Sequence, residues 1–309
     1  MSENANGAGR RPLILVINDD GIDSPGLHAA VQAVIAAGDG AEDSAAAEAG
    51  NAAEARKSAA DAGEIIVAAP TTQKTARGRS MNGNERDHFH PYEIPETNAD
   101  NRRLTAWHID ASPALVCQHA VTVLCDGRTP DLVVSGINYG ENIGTDIGGS
   151  GTLGAAFQAA AQGIPALALS RQTGVENHFF HGHLDWSETT HVAVRWITKL
   201  LDLAASLAAH PPGRRPFDVV KVDIPDPCPE NTPERLTRLS MSCYLGFHIE
   251  APSPRTPLGE SRTYIAAGAT TLDPADDGYA VAVDRVIAVT PLTIDCTASM
   301  SEAKRVLQV

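Results

Sequence analysis

Two adjacent carboxylates, Asp19 and Asp20, form the most chemically suggestive pair in the sequence, and they follow the apolar run 12–17 almost directly. Adjacent like charges repel each other, and no Lys or Arg stands beside them, so a bound cation is the simplest reason to keep both acids. A turn in which one Asp caps the backbone would explain a single acid without any ligand. The pair therefore predicts a cation site, with an ordinary turn as the alternative.

A glycine-rich loop supplies the second chemical feature. It separates the apolar run 131–137 from a run of small residues that begins at Leu153, and its last residues, 149–152, read Gly-Ser-Gly-Thr. A loop between the end of a strand and the start of a helix offers free backbone N–H groups and the positive end of the helix dipole to an anion. We interpret this loop as a phosphate-binding site.

Three cationic side chains, Lys74, Arg77 and Arg79, lie in the loop 71–80 after another apolar run. The whole chain carries Lys+Arg 24 against Asp+Glu 38, a formal net charge of -14. Such a protein has no general attraction to nucleic acids or to anionic membranes, so a phosphate ligand needs local positive charge. The three cations could supply that charge, or they could belong to an ordinary solvated loop.

These groups need buried strands to position them. Short continuous apolar runs are typical of strands inside a parallel sheet, and helical spacing and capping signals predict helices between them. Open α/β sheets place their active sites at the carboxyl ends of the strands. The predicted strands are 12–17, 64–69, 131–137, 165–169 and 217–222, and the predicted helices begin near Ser24, span 112–124, begin after Thr152, and span 186–209 and 299–307.

Beyond residue 222 the pattern changes from an α/β body to a β-rich part. Short alternating strands are predicted around 235–241, 262–267 and 279–289, separated by turns rich in Pro and Gly. The predicted organisation is a disordered tail at 1–11, a catalytic core at 12–222 and a carboxyl-terminal part at 223–309.

Two segments interrupt the predicted core. Residues 38–63 are mostly Ala, Glu, Asp, Ser and Gly, so this low-complexity insertion is expected to be an exposed helix or a disordered loop without catalytic residues. Residues 88–107 have an irregular pattern. His88 and His90 alternate as strand residues do and could bind a metal, but no third ligand is expected nearby.

Composition limits the protein class. The chain has 309 residues, 43% of them hydrophobic and 20% charged, which is typical of a globular protein. Its five cysteines form no CxxC pair, which favours a reducing compartment over a disulfide framework. The first residues lack an apolar leader, and no later run is long enough to span a bilayer, so we expect a cytoplasmic protein without membrane partners.

Several motifs follow one another from Pro12 onward: Asn-Asp-Asp-Gly at 18–21, Ser-Pro-Gly at 24–26, Val-Ala-Ala-Pro at 67–70, 131–138 with Gly140 and Asn142, Ser-Gly-Thr at 150–152, and Thr-Pro-Leu at 290–292. Together, and in this order, they closely resemble the survival protein E (SurE) family. The resemblance implies a metal-dependent phosphatase, a 5'-nucleotidase or acid phosphatase acting on nucleoside monophosphates, whose activity could extend to 3'-nucleotides or short polyphosphate. It also implies a Rossmann-like, mostly parallel sheet flanked by helices, and a β-rich carboxyl-terminal extension that forms a homodimer or homotetramer.

The resemblance also implies roles for individual residues. The family's cation ligands fall on Asp19, Asp20, Thr75 and Asn138, an all-oxygen set that suits one Mg²⁺ or Mn²⁺ per subunit. Asp19 and Asp20 are the expected catalytic acids, and either could position the attacking water or form an aspartyl-phosphate. The expected phosphate contacts are Asn138, Ser150, Gly151 and Thr152, and the expected substrate loop carries Lys74, Arg77 and Arg79.

The chain departs from the family pattern at three positions. Leu115 stands where the family usually has Asp, Asp223 stands where it has Asn, and Thr75 replaces a serine. The motifs recognise a terminal phosphate and no base, so the variable loops 71–84 and 171–185, the second of which is rich in histidine, are expected to set the substrate preference.

Two other functions fit parts of the sequence. Residues 149–154 match the dinucleotide fingerprint G-x-G-x-x-G, which would indicate an NAD(P)-binding oxidoreductase. That fingerprint should directly follow its strand and precede a ribose-binding acid, whereas here the strand ends well upstream and Arg171 follows the next strand. The other alternative is a nucleotide-binding module without catalytic activity.

Overall fold

The protein is built around one mixed β-sheet, seen in a computed structural model that describes residues 11–49, 63–95, 104–178, 180–266 and 272–307. Within these residues nine strands join in the order β3-β4-β2-β1-β5-β6-β7-β11-β8, and β9 and β10 form a separate hairpin. The strands are β1 (Leu13–Ile17), β2 (Glu64–Pro70), β3 (His90–Tyr92), β4 (Leu104–Ile109), β5 (Leu132–Tyr139), β6 (Ala166–Arg171), β7 (Val219–Ile224), β8 (Glu234–Leu236), β9 (Leu245–His248), β10 (Arg262–Ile265) and β11 (Ile287–Leu292).

The central strands β4, β2, β1, β5, β6 and β7 run parallel, so the predicted mostly parallel α/β sheet is confirmed. Their side chains alternate between two apolar layers. Ile14 and Val16 face a layer that includes the first and fourth helices, whereas Leu13 and Leu15 face the second and third. The helices are α1 (Pro25–Ala49), α2 (Pro113–Val123), α3 (Gly151–Ala161), α4 (Ser187–Ala208), α5 (Asp277–Ala282) and α6 (Met300–Leu307).

The segment 88–107, which the sequence predicts to be irregular, contributes two strands. β4 pairs in parallel with β2 from Ile65 to Pro70, and the short strand β3 covers its outer edge in antiparallel orientation. The prediction is wrong because Leu104–Ile109 is only partly buried and mixes polar with apolar residues, so its own periodicity is weak. Pairing with β2 decides its conformation.

The carboxyl-terminal part also differs from the predicted run of strands. Residues 279–289 contain the last part of the short helix α5 and the beginning of β11. Alternating Ala and Val near Tyr279 fit either a strand or a helix, and Ala280 and Val281 pack into a small apolar cluster as helix residues. Strand β11 pairs antiparallel with β7 and parallel with β8, so this part completes the central sheet.

Two predicted segments fall partly or wholly outside the described residues. The low-complexity insertion 38–63 begins inside α1, which continues to Ala49, and residues 50–62 are not described. The predicted tail, 1–11, lies outside except for Arg11. Among the helices that are described, none is long and apolar enough to cross a membrane.

A buried group of charges connects the carboxyl-terminal part to the sheet. Lys221 on β7 is fully buried and forms ion pairs with Asp223 and, at 3.0 Å, with Asp277 at the start of α5. Burial lowers the pKa of Lys221, but the two carboxylates outweigh burial and the net shift is upward. Asp277 also accepts hydrogen bonds from the backbone N–H groups of Gly144 and Ser240. The cluster therefore fixes α5 to the loop that follows β5.

Replacing the buried lysine should destabilise the fold. Lys221→Met would leave two carboxylates buried without their cation, so we expect the free energy of unfolding to fall by about 3–5 kcal/mol in urea denaturation. The control is Lys304→Met, which changes an exposed lysine on α6 and should alter stability by less than about 0.5 kcal/mol. Equal effects of the two substitutions would contradict a structural role for the cluster.

Candidate active site

Asp19 and Asp20 occupy the turn between β1 and α1, at the carboxyl edge of the sheet. Both side chains are buried, with relative exposures of 4% and 2%. Gly21 has a φ of 98°, a left-handed conformation that glycine adopts without strain, and its carbonyl accepts a hydrogen bond from Asn18 Nδ2 at 3.0 Å. This turn holds two acids side by side in the interior.

The beginning of α3 lies directly against Asp19. Thr152 Oγ1 donates a hydrogen bond to Asp19 Oδ1 at 2.6 Å, and the backbone N–H groups of Gly151 and Thr152 also favour the ionised carboxylate. A Cβ atom on Gly151 would lie 2.6 Å from Asp19 Oδ2, so only glycine permits this approach. Burial nevertheless dominates and raises the pKa of Asp19 to about 6. The structure thus joins the predicted acid pair to the predicted phosphate loop.

Asp20 is held by neighbours without positive charge. Its carboxylate accepts a hydrogen bond from the Tyr139 N–H at 3.1 Å and another from Gln73 Nε2 at 3.1 Å. Burial, together with the negative charge of Asp19, raises the pKa of Asp20 well above its usual value. Within the described ranges, no Lys or Arg forms an ion pair with either acid. Two buried carboxylates without a cation are a suitable donor set for a hard divalent ion.

The other predicted ligands, Asn138 and Thr75, come from two neighbouring segments. Asn138 lies on β5, next to β1, and donates its side-chain N–H to the Gly140 carbonyl at 2.7 Å, so its side-chain oxygen is the atom that could act as a ligand. Thr75 follows Lys74, whose backbone N–H donates to the Asp19 carbonyl at 2.7 Å. The backbone of the loop after β2 therefore contacts the acid turn, and all the donor atoms are oxygens.

Ser150 caps the amino terminus of α3. Its Oγ accepts a hydrogen bond from the Leu153 N–H at 3.1 Å, as N-cap serines commonly do. The cap fixes the start of the helix beside Asp19 and leaves the first backbone N–H groups at the acid turn. Direct contact between the Ser150 hydroxyl and a phosphate stays a prediction.

The three predicted substrate-loop cations have different surroundings. Lys74 Nζ forms an ion pair with Asp110 at 2.7 Å, and Arg79 Nε donates to Gln158 on α3 at 2.9 Å. Arg77 is exposed. Lys74 and Arg79 thus have partners that hold the loop in position, although Arg79 is exposed to solvent as Arg77 is.

Sequence reasoning missed the residues that line the other side of the acid turn. Gln73 bridges Asp20 and the His178 carbonyl, and Tyr139 packs between the rings of His181 and Trp186, with centroid distances of 5.2 and 4.9 Å. The histidine-rich loop does lie near the acids, as the sequence suggested. Gln73 gave no signal because an uncharged amide inside a basic loop has no distinctive pattern.

The glycines at 149–154 have structural reasons that do not involve a dinucleotide. β5 ends at Tyr139, and a short 3₁₀ helix, Gly144–Gly148, separates it from the fingerprint. A Cβ atom on Gly154 would lie 2.1 Å from the Gly78 carbonyl oxygen, so this glycine allows the loop after β2 to pack on α3. The arrangement lacks the direct strand-to-helix turn that the oxidoreductase alternative requires.

Without a divalent cation, raising the pH should reduce stability through Asp19. The pKa of its carboxyl rises from 3.8 to about 6 on folding, so the folded state keeps a proton that the unfolded chain has lost. This contribution should lower the free energy of unfolding by roughly 3 kcal/mol between about pH 4 and pH 7.

Urea denaturation in excess chelator at both pH values would measure this effect. Asp19→Asn should remove the part of the fall that Asp19 contributes and leave the part that comes from the raised pKa of the buried Asp20, whereas Asp202→Asn, an exposed site on α4, should leave the whole fall unchanged. Identical pH profiles for Asp19→Asn and the unmodified protein would contradict the prediction.

Comparisons with known proteins agree with this geometry. A family model described as "Survival protein SurE" matches residues 35–245. The chain is 32% identical over 291 residues to 5'-nucleotidase SurE of Methanothrix thermoacetophila, covering 93% of this chain and 94% of that protein. The corresponding values for 5'-nucleotidase SurE of Methanosarcina acetivorans are 31% over 291 residues, with 93% and 94% coverage. The crystal structure of the Sure protein from Aquifex aeolicus superposes with a TM-score of 0.61 at 25% identity, covering 96% of this chain and 100% of that one. The chain therefore belongs to the survival protein SurE family.

Proposed function

We propose that this protein is a divalent-cation-dependent phosphatase that hydrolyses nucleoside monophosphates, a 5'-nucleotidase. The observation that carries the proposal is the buried Asp19–Asp20 pair, which lies against the amino terminus of α3 without a cationic partner among the described residues. Relatives that match almost the whole chain carry the name 5'-nucleotidase SurE. A non-catalytic module would have no reason to keep two buried acids at an anion-binding helix terminus.

The proposed cofactor is one Mg²⁺ or Mn²⁺ ion per subunit, held by Asp19, Asp20, Thr75 and Asn138. Carboxylate, hydroxyl and amide oxygens are the donors that these hard ions prefer, and the four residues offer no nitrogen or sulfur. When bound, such an ion supplies Lewis-acid activation of water and neutralises charge on the phosphoryl oxygens. The buried carboxylates of Asp19 and Asp20, which have no cationic partner among the described residues, are the feature of the structure that fits a divalent ion.

We assign phosphate binding and the orientation of the attacking water to different residues around the ion. The backbone N–H groups at the start of α3, with Ser150, Thr152 and Asn138, would bind the phosphoryl oxygens. Both oxygens of Asp20 already accept hydrogen bonds, from Gln73 and Tyr139, so Asp20 is fixed in orientation. Asp19, whose Oδ1 accepts from Thr152 and whose Oδ2 lies at the helix terminus, is the acid we assign to orienting the attacking water and accepting its proton.

We also propose that the carboxyl-terminal part mediates homo-oligomerisation, as a homodimer or homotetramer. The β9–β10 hairpin leaves Phe247, Tyr264 and Ile265 exposed, and α6 leaves Met300 and Val306 exposed. Apolar side chains grouped on a surface are typical of interaction sites. The hairpin and α6 both follow the catalytic core in the chain.

Removal of the cation should abolish activity. Excess chelator should reduce phosphate release to background, and added Mn²⁺ or Mg²⁺ should restore it. Asp20→Asn should lower kcat by at least about 100-fold, because the variant lacks a carboxylate of the proposed cation site. The protein should stay folded, because the amide of Asn has the same shape as the buried carboxyl group. Asp202→Asn is the matched exposed control and should retain full activity. Full activity in excess chelator would contradict the cation-dependent mechanism.

A substrate panel would test the nucleotide preference. We expect a nucleoside monophosphate to exceed ribose 5-phosphate in kcat/KM by at least about tenfold, which corresponds to roughly 1.4 kcal/mol of additional transition-state binding by the base. The two substrates share sugar and phosphate, so ribose 5-phosphate is the internal control. Equal values would limit the function to that of a general phosphomonoesterase.

A further inference from the structure

A second group of side chains that could hold a metal ion follows the loop after β2. A metal ion at this group would be separate from the proposed phosphatase site. Asp87, His88 and His90 bring one potential ligand atom each to within 4.8 Å of the others, among the residues that the structure describes. Asp87 is a third potential ligand, which the sequence pattern did not predict. The group lies at the outermost strand, β3, next to the carboxyl end of β4, whereas Asp19 and Asp20 follow the central strand β1.

The chain conformation places both imidazoles on the same side. Phe89 points inward, packs against the apolar layer of α2 and stacks on His119 at 5.2 Å. Because side chains alternate along an extended segment, His88 and His90 point together to the opposite side. Their ring centroids are 4.4 Å apart. The packing of Phe89 thus sets two nitrogen ligands next to each other.

Asp87 is oriented by a backbone contact. One of its oxygens, Oδ2, accepts a hydrogen bond from the Asp110 N–H at 2.8 Å, which leaves Oδ1 directed at His90 Nε2, also at 2.8 Å. Two ligands of one tetrahedral Zn²⁺ lie roughly 3.3 Å apart, given bonds of about 2.0 Å. Small rotations of the side chains would therefore admit an ion between them. An outer hydrogen bond that fixes a ligating carboxylate is common at metal sites.

An ion pair between Asp87 and His90 accounts for only part of this arrangement. That ion pair does not involve the exposed His88 ring, and so it does not explain why His88 lies beside His90. The side chains of His90 and Asp87 have relative exposures of 40% and 17%, so an ion from solvent can reach them.

We propose that Asp87, His88 and His90 bind a transition-metal ion of the Zn²⁺ class, with water in the remaining position. Imidazole nitrogens select Zn²⁺, Ni²⁺ or Cu²⁺ over Mg²⁺, whereas the all-oxygen site at Asp19 and Asp20 suits Mg²⁺ or Mn²⁺. The two sites therefore differ in donor chemistry. Asp110 connects them, because it fixes Asp87 through its backbone and Lys74 through its carboxylate.

The test is metal binding by the full chain, independent of turnover. Chelator-treated protein is exchanged into excess Mg²⁺ and titrated with Zn²⁺ by calorimetry, and with Co²⁺ while its visible absorption is recorded. We expect a Zn²⁺ site that Asp20→Asn retains and that His88→Ala/His90→Ala weakens by at least about tenfold. The control, His191→Ala/His210→Ala, removes two exposed imidazoles on or just after α4 and should bind Zn²⁺ as the unmodified protein does.

Three results would overturn the proposal. These are no Zn²⁺ binding at micromolar concentration, equal affinities for the unmodified protein and His88→Ala/His90→Ala, and loss of the site in Asp20→Asn alone. If the double variant does not fold, His88→Gln replaces it, because His88 is exposed and its substitution should preserve the fold. Retention of full Zn²⁺ affinity by His88→Gln would contradict the proposed ligand set.

Discussion

The structure depends on one electrostatic constraint, the burial of two adjacent carboxylates at the carboxyl edge of the sheet. Asp19 and Asp20 are almost inaccessible, and burial raises the pKa of both. Each acid has hydrogen-bond donors, but the described residues offer neither of them a cationic side chain. An apolar interior strongly disfavours uncompensated charge, so the folded protein gains most from a ligand that supplies positive charge at this point.

Close backbone approaches make room for that arrangement. Gly151 allows α3 to begin against Asp19, and Gly154 allows the loop after β2 to pack on the same helix. A Cβ atom on Gly26 would lie 2.1 Å from the Ile137 carbonyl oxygen, so α1 also begins in close contact with β5. These three glycines allow α3, the loop after β2 and α1 to make close backbone contacts with neighbouring segments. The polar groups of the site are therefore positioned by packing and not by long flexible side chains.

A second polar network holds the connection between β5 and α3. Asp223 accepts a hydrogen bond from the Asn142 N–H at 2.8 Å, and Asp277 accepts one from the Gly144 N–H at 3.0 Å. Both carboxylates share the buried Lys221. Because this long connection leads to the phosphate loop, the carboxyl-terminal part supports the active site through the same network that attaches it to the sheet.

The sequence by itself determined the features that are local in the chain. Continuous apolar runs predicted β1, β2, β5, β6 and β7, and the Asp19–Asp20 pair and the glycine-rich loop marked the place where the sheet would carry its chemistry. The tertiary structure decided what depends on contacts between distant segments. Strand β4 forms because β2 is beside it, Gln73 reaches Asp20 across the site, and Thr152 binds Asp19 although 133 positions separate them. A sequence pattern records the preferences of neighbouring residues, whereas burial and long-range hydrogen bonds arise only when the folded chain brings remote residues together.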